Sequence, residues 1–189
     1  MKPKLYIVTG SPFKFGDLSA KLSEFFDCEQ KHWNESEIQG DPEEIIRHKL
    51  DRAYEVFKHP VLVDDVEVNL EALNGFPGPY MKDFWSRMTA YEMGNKFADT
   101  RISATCRLGL CRKEGEAIIA EGTFHGTIVA PKDNEHKGRD FEIFVKLDGM
   151  DKVMLEYKPE EFYEQSHRGR AMKNLLAILK KEENSKYAF

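Results

Sequence analysis

The chain opens with a short apolar run, Leu5 to Val8, that halts at Thr9-Gly10-Ser11-Pro12 and then passes into a helical period. Four apolar residues stopped by Gly and Pro read as a buried strand and a turn. Beyond the turn, Phe15, Leu18, Leu22, Phe25 and Phe26 recur at helical spacing, with Gly16 weakening the first turn. A strand with no polar face must be covered on both sides, and a helix following directly on it is the usual cover. The opening unit therefore predicts an α/β fold.

The rest of the chain agrees with that start. Asp41-Pro42-Glu43-Glu44 is a helix start: Asp41 caps, Pro42 fits the first helical position, and Glu44 has capping-box spacing. Ile46, Leu50, Ala53 and Phe57 form its apolar stripe, and it should end near Lys58, before Pro60. Val61 to Val63 reads as a short buried strand running into Asp64-Asp65. Gly75-Phe76-Pro77-Gly78-Pro79 is a rigid turn, followed by a helix with Met81, Phe84, Trp85 and Met88 inward. Alternation from Ile102 to Leu110, a turn at Lys113 to Gly115 and a return from Ile118 to Val129 predict a hairpin. A polar loop over Lys132 to Asp140, a strand over Phe141 to Val145 and a helix over Arg170 to Lys181 complete the pattern; Met172, Leu175, Leu176 and Leu179 are that helix's apolar positions. The expected fold is a mixed central sheet flanked by helices, with two lobes around a cleft, in a single domain over residues 1–189.

Composition excludes several function classes. The formal net charge is −5, so the molecule as a whole repels nucleic acid and anionic membranes, and a polyanionic ligand needs a local cluster of Lys and Arg. Three cysteines, Cys28, Cys106 and Cys111, have neither an even count nor CxxC spacing, which argues against a disulfide framework or a zinc site. Cys106 and Cys111 share one strand at odd spacing and point to opposite faces. Reduced thiols suit the cytosol. The apolar stretch near the start is shorter than the roughly 7–15 residues of a signal core, and no window reaches the roughly 20 residues of a membrane span. We expect a cytoplasmic protein with no nucleic-acid or membrane partner.

Four groups could do chemistry. Thr9, Gly10, Ser11 and Lys14, at a strand end and a helix start, offer backbone N–H groups, hydroxyls and an ammonium suited to phosphate, although the Gly-Lys-Ser/Thr ending of a Walker A loop is absent. An ordinary strand-to-helix turn is the plainer reading. Asp64 and Asp65 can hold a metal or activate water, with Glu37 as a third carboxylate; a simple acidic turn is the alternative. Lys49 and Lys82 each lie on a predicted helix, where a lysine is ordinarily a solvated charge. Ser166 and His167 are adjacent and do not face one another, so they make no nucleophile–base pair. With Arg168 they could present donors to one planar ligand edge, or simply cap a helix.

Taken together, these blocks resemble the inosine triphosphate pyrophosphatase family. The match covers Val8-Thr9-Gly10 with Lys14, Glu37-Ile38-Gln39-Gly40 with Lys49, and Val61 to Asp65 running into Gly75 to Lys82. Gly126 to Pro131 and Ser166-His167-Arg168-Gly169-Arg170-Ala171 extend it. The resemblance implies cleavage of a nucleoside triphosphate to monophosphate and pyrophosphate, and a homodimer. It implies that Thr9, Lys14, Lys49 and Lys82 hold the triphosphate. It implies too that Glu37 and Asp65, with Asp64 beside them, hold Mg2+, that Asp65 is also the base for the attacking water, and that Ser166, His167 and Arg168 face the nucleobase.

Three positions depart from the family pattern. Ser11 stands where Asn is usual. The aromatic-Asp-Pro segment that lines the base pocket is replaced by Gly138-Arg139-Asp140-Phe141-Glu142, where Phe141 could still stack on a base and Asp140 or Glu142 could replace the Asp. Phe162 stands where Lys precedes Ser-His-Arg. Two of the three concern base recognition, so the expectation is intact hydrolysis with a shifted base preference. A nucleotide-binding protein without turnover is the competing class, and the retained Asp65, Glu37 and lysines argue against it.

Overall fold

The computed structural model describes residues 2–33, 36–132 and 140–186. Its strands are β1 (Lys4–Val8), β2 (Asp27–Lys31), β3 (Val61–Leu70), β4 (Pro77–Gly78), β5 (Arg101–Cys111), β6 (Ile118–Ile128) and β7 (Val145–Leu147). Its α-helices are α1 (Pro12–Leu22), α2 (Pro42–Phe57), α3 (Met81–Trp85), α4 (Ala90–Lys96), α5 (Pro159–Phe162) and α6 (His167–Lys186). The strands form one mixed sheet in the order β2-β1-β3-β5-β6-β7, with β4 paired to β3. β1 runs parallel to β2 and to β3, whereas β3 pairs with β4, and β6 with β7, antiparallel. This is the mixed α/β fold that the alternating patterns predict.

The chain divides into two compact units, each discontinuous in sequence. The first comprises Met1–Asp65, Arg107–Glu121 and Ala171–Phe189, and the second Val66–Cys106 and Gly122–Arg170. In the first, Ile46, Leu50 and Ala53 of α2 are fully buried with Val8, Val61, Val63 and Cys111. Burying each such aliphatic side chain contributes roughly 1.5–3 kcal/mol. In the second, Val68, Leu70, Met93, Phe124, Phe144 and Phe162 belong to one core.

Several boundaries differ from expectation. α1 begins at Pro12 because Ser11 caps it and Pro occupies the first turn; it ends at Leu22, and Phe25 and Phe26 follow in a turn on the Leu22 carbonyl. α2 begins and ends as predicted, with the Asp41–Glu44 capping box and Lys58 in a left-handed cap at φ 48°. β3 does not stop at the aspartates: it continues to Leu70, since a lysine meets each carboxylate and neither charge needs to leave the sheet. The helix predicted after Pro79 is α3, which ends at Trp85, before Met88, and α4 is a second helix that was not predicted. Thr89 and Glu92 form a capping box that starts the second, a Thr-x-x-Glu spacing visible in the sequence and not used above.

The predicted strand over Phe141 to Val145 is a correction. A 3-10 turn spans Asp140–Ile143, and β7 begins only at Val145. Ile143, Phe144 and Val145 are all buried in the core of the second unit, the first two entering it from the turn before β7 begins. Most of the Lys132–Asp140 loop, Gly138 and Arg139 included, lies outside the described residues, as do the side chains of Asp140 and Phe141. α6 starts at His167, three residues early, because Ser166 caps it: the Gly169 N–H donates to Ser166 Oγ at 3.1 Å.

Candidate functional site

Five of the predicted residues meet in the first unit. Lys14, in the first turn of α1, places Nζ 2.7 Å from Asp64 Oδ2. Lys49, on α2, donates to the Asp64 carbonyl at 2.8 Å and to Asp65 Oδ1 at 3.4 Å, and lies 3.8 Å from Glu37 Oε1. Two ammonium groups thus face three carboxylates. Asp64 touches both lysines, one through its carboxylate and the other through its backbone. The carboxylates differ in exposure: the Asp64 side chain is 5% exposed, Asp65 11% and Glu37 41%. Burial pushes the Asp65 carboxyl above its ordinary range, against the pull of Lys49; Glu37 and Asp64 push it the same way as burial. Asp65 Oδ2 is buried and has no hydrogen-bond partner among the described residues.

Among the described residues no three His, Cys, Asp or Glu side chains are grouped to hold an ion. The Asp64 carboxylate faces Lys14, whereas Glu37 and Asp65 both lie on Lys49.

The turn before α1 is held tightly. The Thr9 N–H donates to Lys31 O at 3.0 Å, and the Thr9 carbonyl accepts from Gln30 Nε2 at 3.0 Å. Thr9 Oγ1 accepts from the Ser11 N–H at 3.2 Å, and Ser11 Oγ accepts from the Lys14 N–H at 3.3 Å. Ser11 is therefore first a helix cap. Gly10 is exposed, and among the described residues a Cβ there would meet nothing within 4 Å. Gln30 was missed in the sequence, since a neutral carboxamide on a strand leaves no signal there.

The remaining predicted residues belong to the second unit. Lys82 is exposed on α3. Ser166 is buried; its hydroxyl donates to Tyr163 O at 2.6 Å while accepting from Gly169, so it serves α6 and not a ligand. His167, 5% exposed, meets the Phe124 ring edge-on at 5.4 Å. Arg168 is half-buried, and its Nε is buried without a hydrogen-bond partner among the described residues. Of the three predicted donors, Ser166 is engaged by backbone groups of its own turn and Arg168 carries the buried Nε. Phe162 is buried in the core of this unit.

Comparison with known proteins covers nearly the whole chain. The model of the Ham1 family matches residues 5–178. An inosine triphosphate pyrophosphatase of Schizosaccharomyces pombe is 30% identical, over 95% of this chain and 97% of its own length. One from Encephalitozoon intestinalis is 33% identical, over 93% and 92%. In fold, the chain is similar to a HAM1 protein from Coxiella burnetii, with a TM-score of 0.81 at 20% identity over 96% of this chain and 100% of that one. The Ham1 protein of Staphylococcus aureus follows with a TM-score of 0.73 at 21% identity, over 95% and 100%.

Proposed function

The chain belongs to the Ham1 family, and on that premise we propose that it hydrolyses nucleoside triphosphates, inosine-type purines foremost, to the monophosphate and pyrophosphate. The observation that supports this most directly is the meeting of Lys14 and Lys49 with Asp64, Asp65 and Glu37 beside the turn that starts α1. A triphosphate brings close to four negative charges. Lys14 and Lys49 supply positive charge locally on an acidic protein, and Thr9 and Gly10 supply donors at a helix start; the family resemblance adds Lys82 as a further cation.

Water attacks the α-phosphorus, its proton passes to Asp65, and the bond to the bridging oxygen of the β-phosphate breaks, releasing pyrophosphate. A carboxylate made more basic by burial suits the proton transfer. Glu37 and Asp65 suit Mg2+, which is commonly held by one or two carboxylates with phosphate oxygens and water completing the shell; the buried Asp65 Oδ2 without a partner fits such a ligand. When bound, that ion would neutralise charge on the departing pyrophosphate.

At the base, Arg168 is the donor for a purine 6-keto oxygen. Adenine carries an amino group there, which leaves a buried donor unmet and is disfavoured. A shifted base preference remains the second reading, favoured by Phe162, an apolar core side chain where the family resemblance expects Lys. The three free thiols suit a cytosolic setting, and the homodimer comes from the family resemblance.

The test is a panel of nucleoside triphosphates with Mg2+, assaying pyrophosphate and orthophosphate separately. Pyrophosphate from inosine triphosphate is expected, and orthophosphate alone would overturn the reading. Asp65→Asn is expected to abolish turnover with circular dichroism unchanged; full turnover in a folded variant removes Asp65 as the base.

A further inference from the structure

β2 ends at Lys31, level with Val8 at the end of β1. The ladder supplies one more bond, from the Thr9 N–H to Lys31 O, and then has nothing for the Thr9 carbonyl, because β2 has stopped. The Gln30 carboxamide fills that place, donating from Nε2 at 3.0 Å. We propose that Gln30 is a positioning residue for the triphosphate-binding turn, acting through the Thr9–Gly10 peptide; the inference rests on the reading of Thr9 and Gly10 as phosphate contacts.

The physical reason is the planarity of the peptide. The Thr9 carbonyl and the Gly10 N–H belong to one rigid unit, so pinning the oxygen sets the direction of the N–H on the opposite side. Without the pin that unit is loosely held on its far side. Gly10 permits a wide range of backbone angles, it is exposed, and, its chain neighbours apart, no described residue reaches within 4 Å of where its Cβ would sit. The same turn orients the Thr9 hydroxyl. Its oxygen accepts from the Ser11 N–H, which leaves its own proton as a donor for an anion. Gln30 thus holds two donors in place without touching the ligand. It is neutral, so replacing it leaves the charge of the lysine and carboxylate cluster unaltered.

Gln30→Met keeps the side chain's length and removes the donor. Gln30→Leu keeps much of the bulk, removes the carboxamide altogether and is likewise neutral. The assays are steady-state hydrolysis of inosine triphosphate with Mg2+ and calorimetric titration with an α,β-methylene nucleoside triphosphate. Both variants are expected to raise KM, and the analogue's Kd in parallel, about 5–10-fold, with kcat within about 2-fold of the parent. Thermal midpoints should stay within about 2 °C. A purely structural residue would instead lower the midpoint and leave KM alone, and either that result or an unchanged Kd overturns the proposal. If the parent protein binds the analogue but releases no pyrophosphate, the hydrolase reading fails while Gln30 is still judged by the titration. A parent that does neither overturns both.

Discussion

Lys14→Met tests the charge balance of the site through stability as well as through activity. The Asp64 carboxylate is 5% exposed and meets Nζ at 2.7 Å, while the lysine side chain is 35% exposed. Removing one partner of a fully buried pair costs about 3–5 kcal/mol, and an exposed pair contributes up to about 1 kcal/mol. With one partner buried and the other partly wet, we expect a loss of about 2 kcal/mol. For a chain of this length that lowers the thermal midpoint by about 4–8 °C. Most of the loss is the cost of a buried carboxylate deprived of its ammonium, so the double variant Lys14→Met/Asp64→Asn should recover more than half of it. Turnover should not recover, because both proteins lack a phosphate-binding cation; kcat/KM should stay about 100-fold or more below the parent. Differential scanning calorimetry beside the pyrophosphate assay measures both quantities. A single variant as stable as the parent, or a double variant no more stable than the single, refutes the reasoning.

Two further outcomes follow from other parts of the fold. The Arg112 guanidinium donates to both Glu116 and Glu182 and holds the Glu116 carboxyl below its ordinary range. Such a group stabilises the fold above its unfolded-state pKa of about 4.3 and loses that contribution as pH falls through the lower folded value. Arg112→Met should therefore cost about 0.5–1 kcal/mol at neutral pH for this half-exposed network, and the gap between the two urea-unfolding curves should close below about pH 4; a gap constant with pH excludes the mechanism. Gly169 packs against the chain before it, and a Cβ there would lie 1.8 Å from the Tyr163 carbonyl oxygen. Gly169→Ala must displace backbone, so it should lower stability by about 3 kcal/mol or prevent soluble expression; a midpoint within 2 °C of the parent contradicts that packing.

Local chemistry was legible along the chain. The Asp41 capping box, the α2 stripe and the β5–β6 hairpin depend on residues a few positions apart, and the structure has them where spacing put them. The residue types at Lys14, Lys49, Glu37, Asp64 and Asp65 were legible as candidates too. Their partners were not, because an ammonium on one helix and a carboxylate 50 positions away in a strand share no local pattern. Only the folded arrangement separated Asp64, facing Lys14, from Asp65, with one oxygen on Lys49 and the other without a partner among the described residues. Tertiary packing likewise carried β3 past two acidic residues, turned Phe141 to Phe144 out of a strand, and made Ser166 a cap. Sequence spacing determines what a chain does within a turn or two, since those contacts are made at short range whatever the remainder does. Burial, charge pairing and strand extent depend on atoms brought together from distant positions, and these the tertiary structure alone decided.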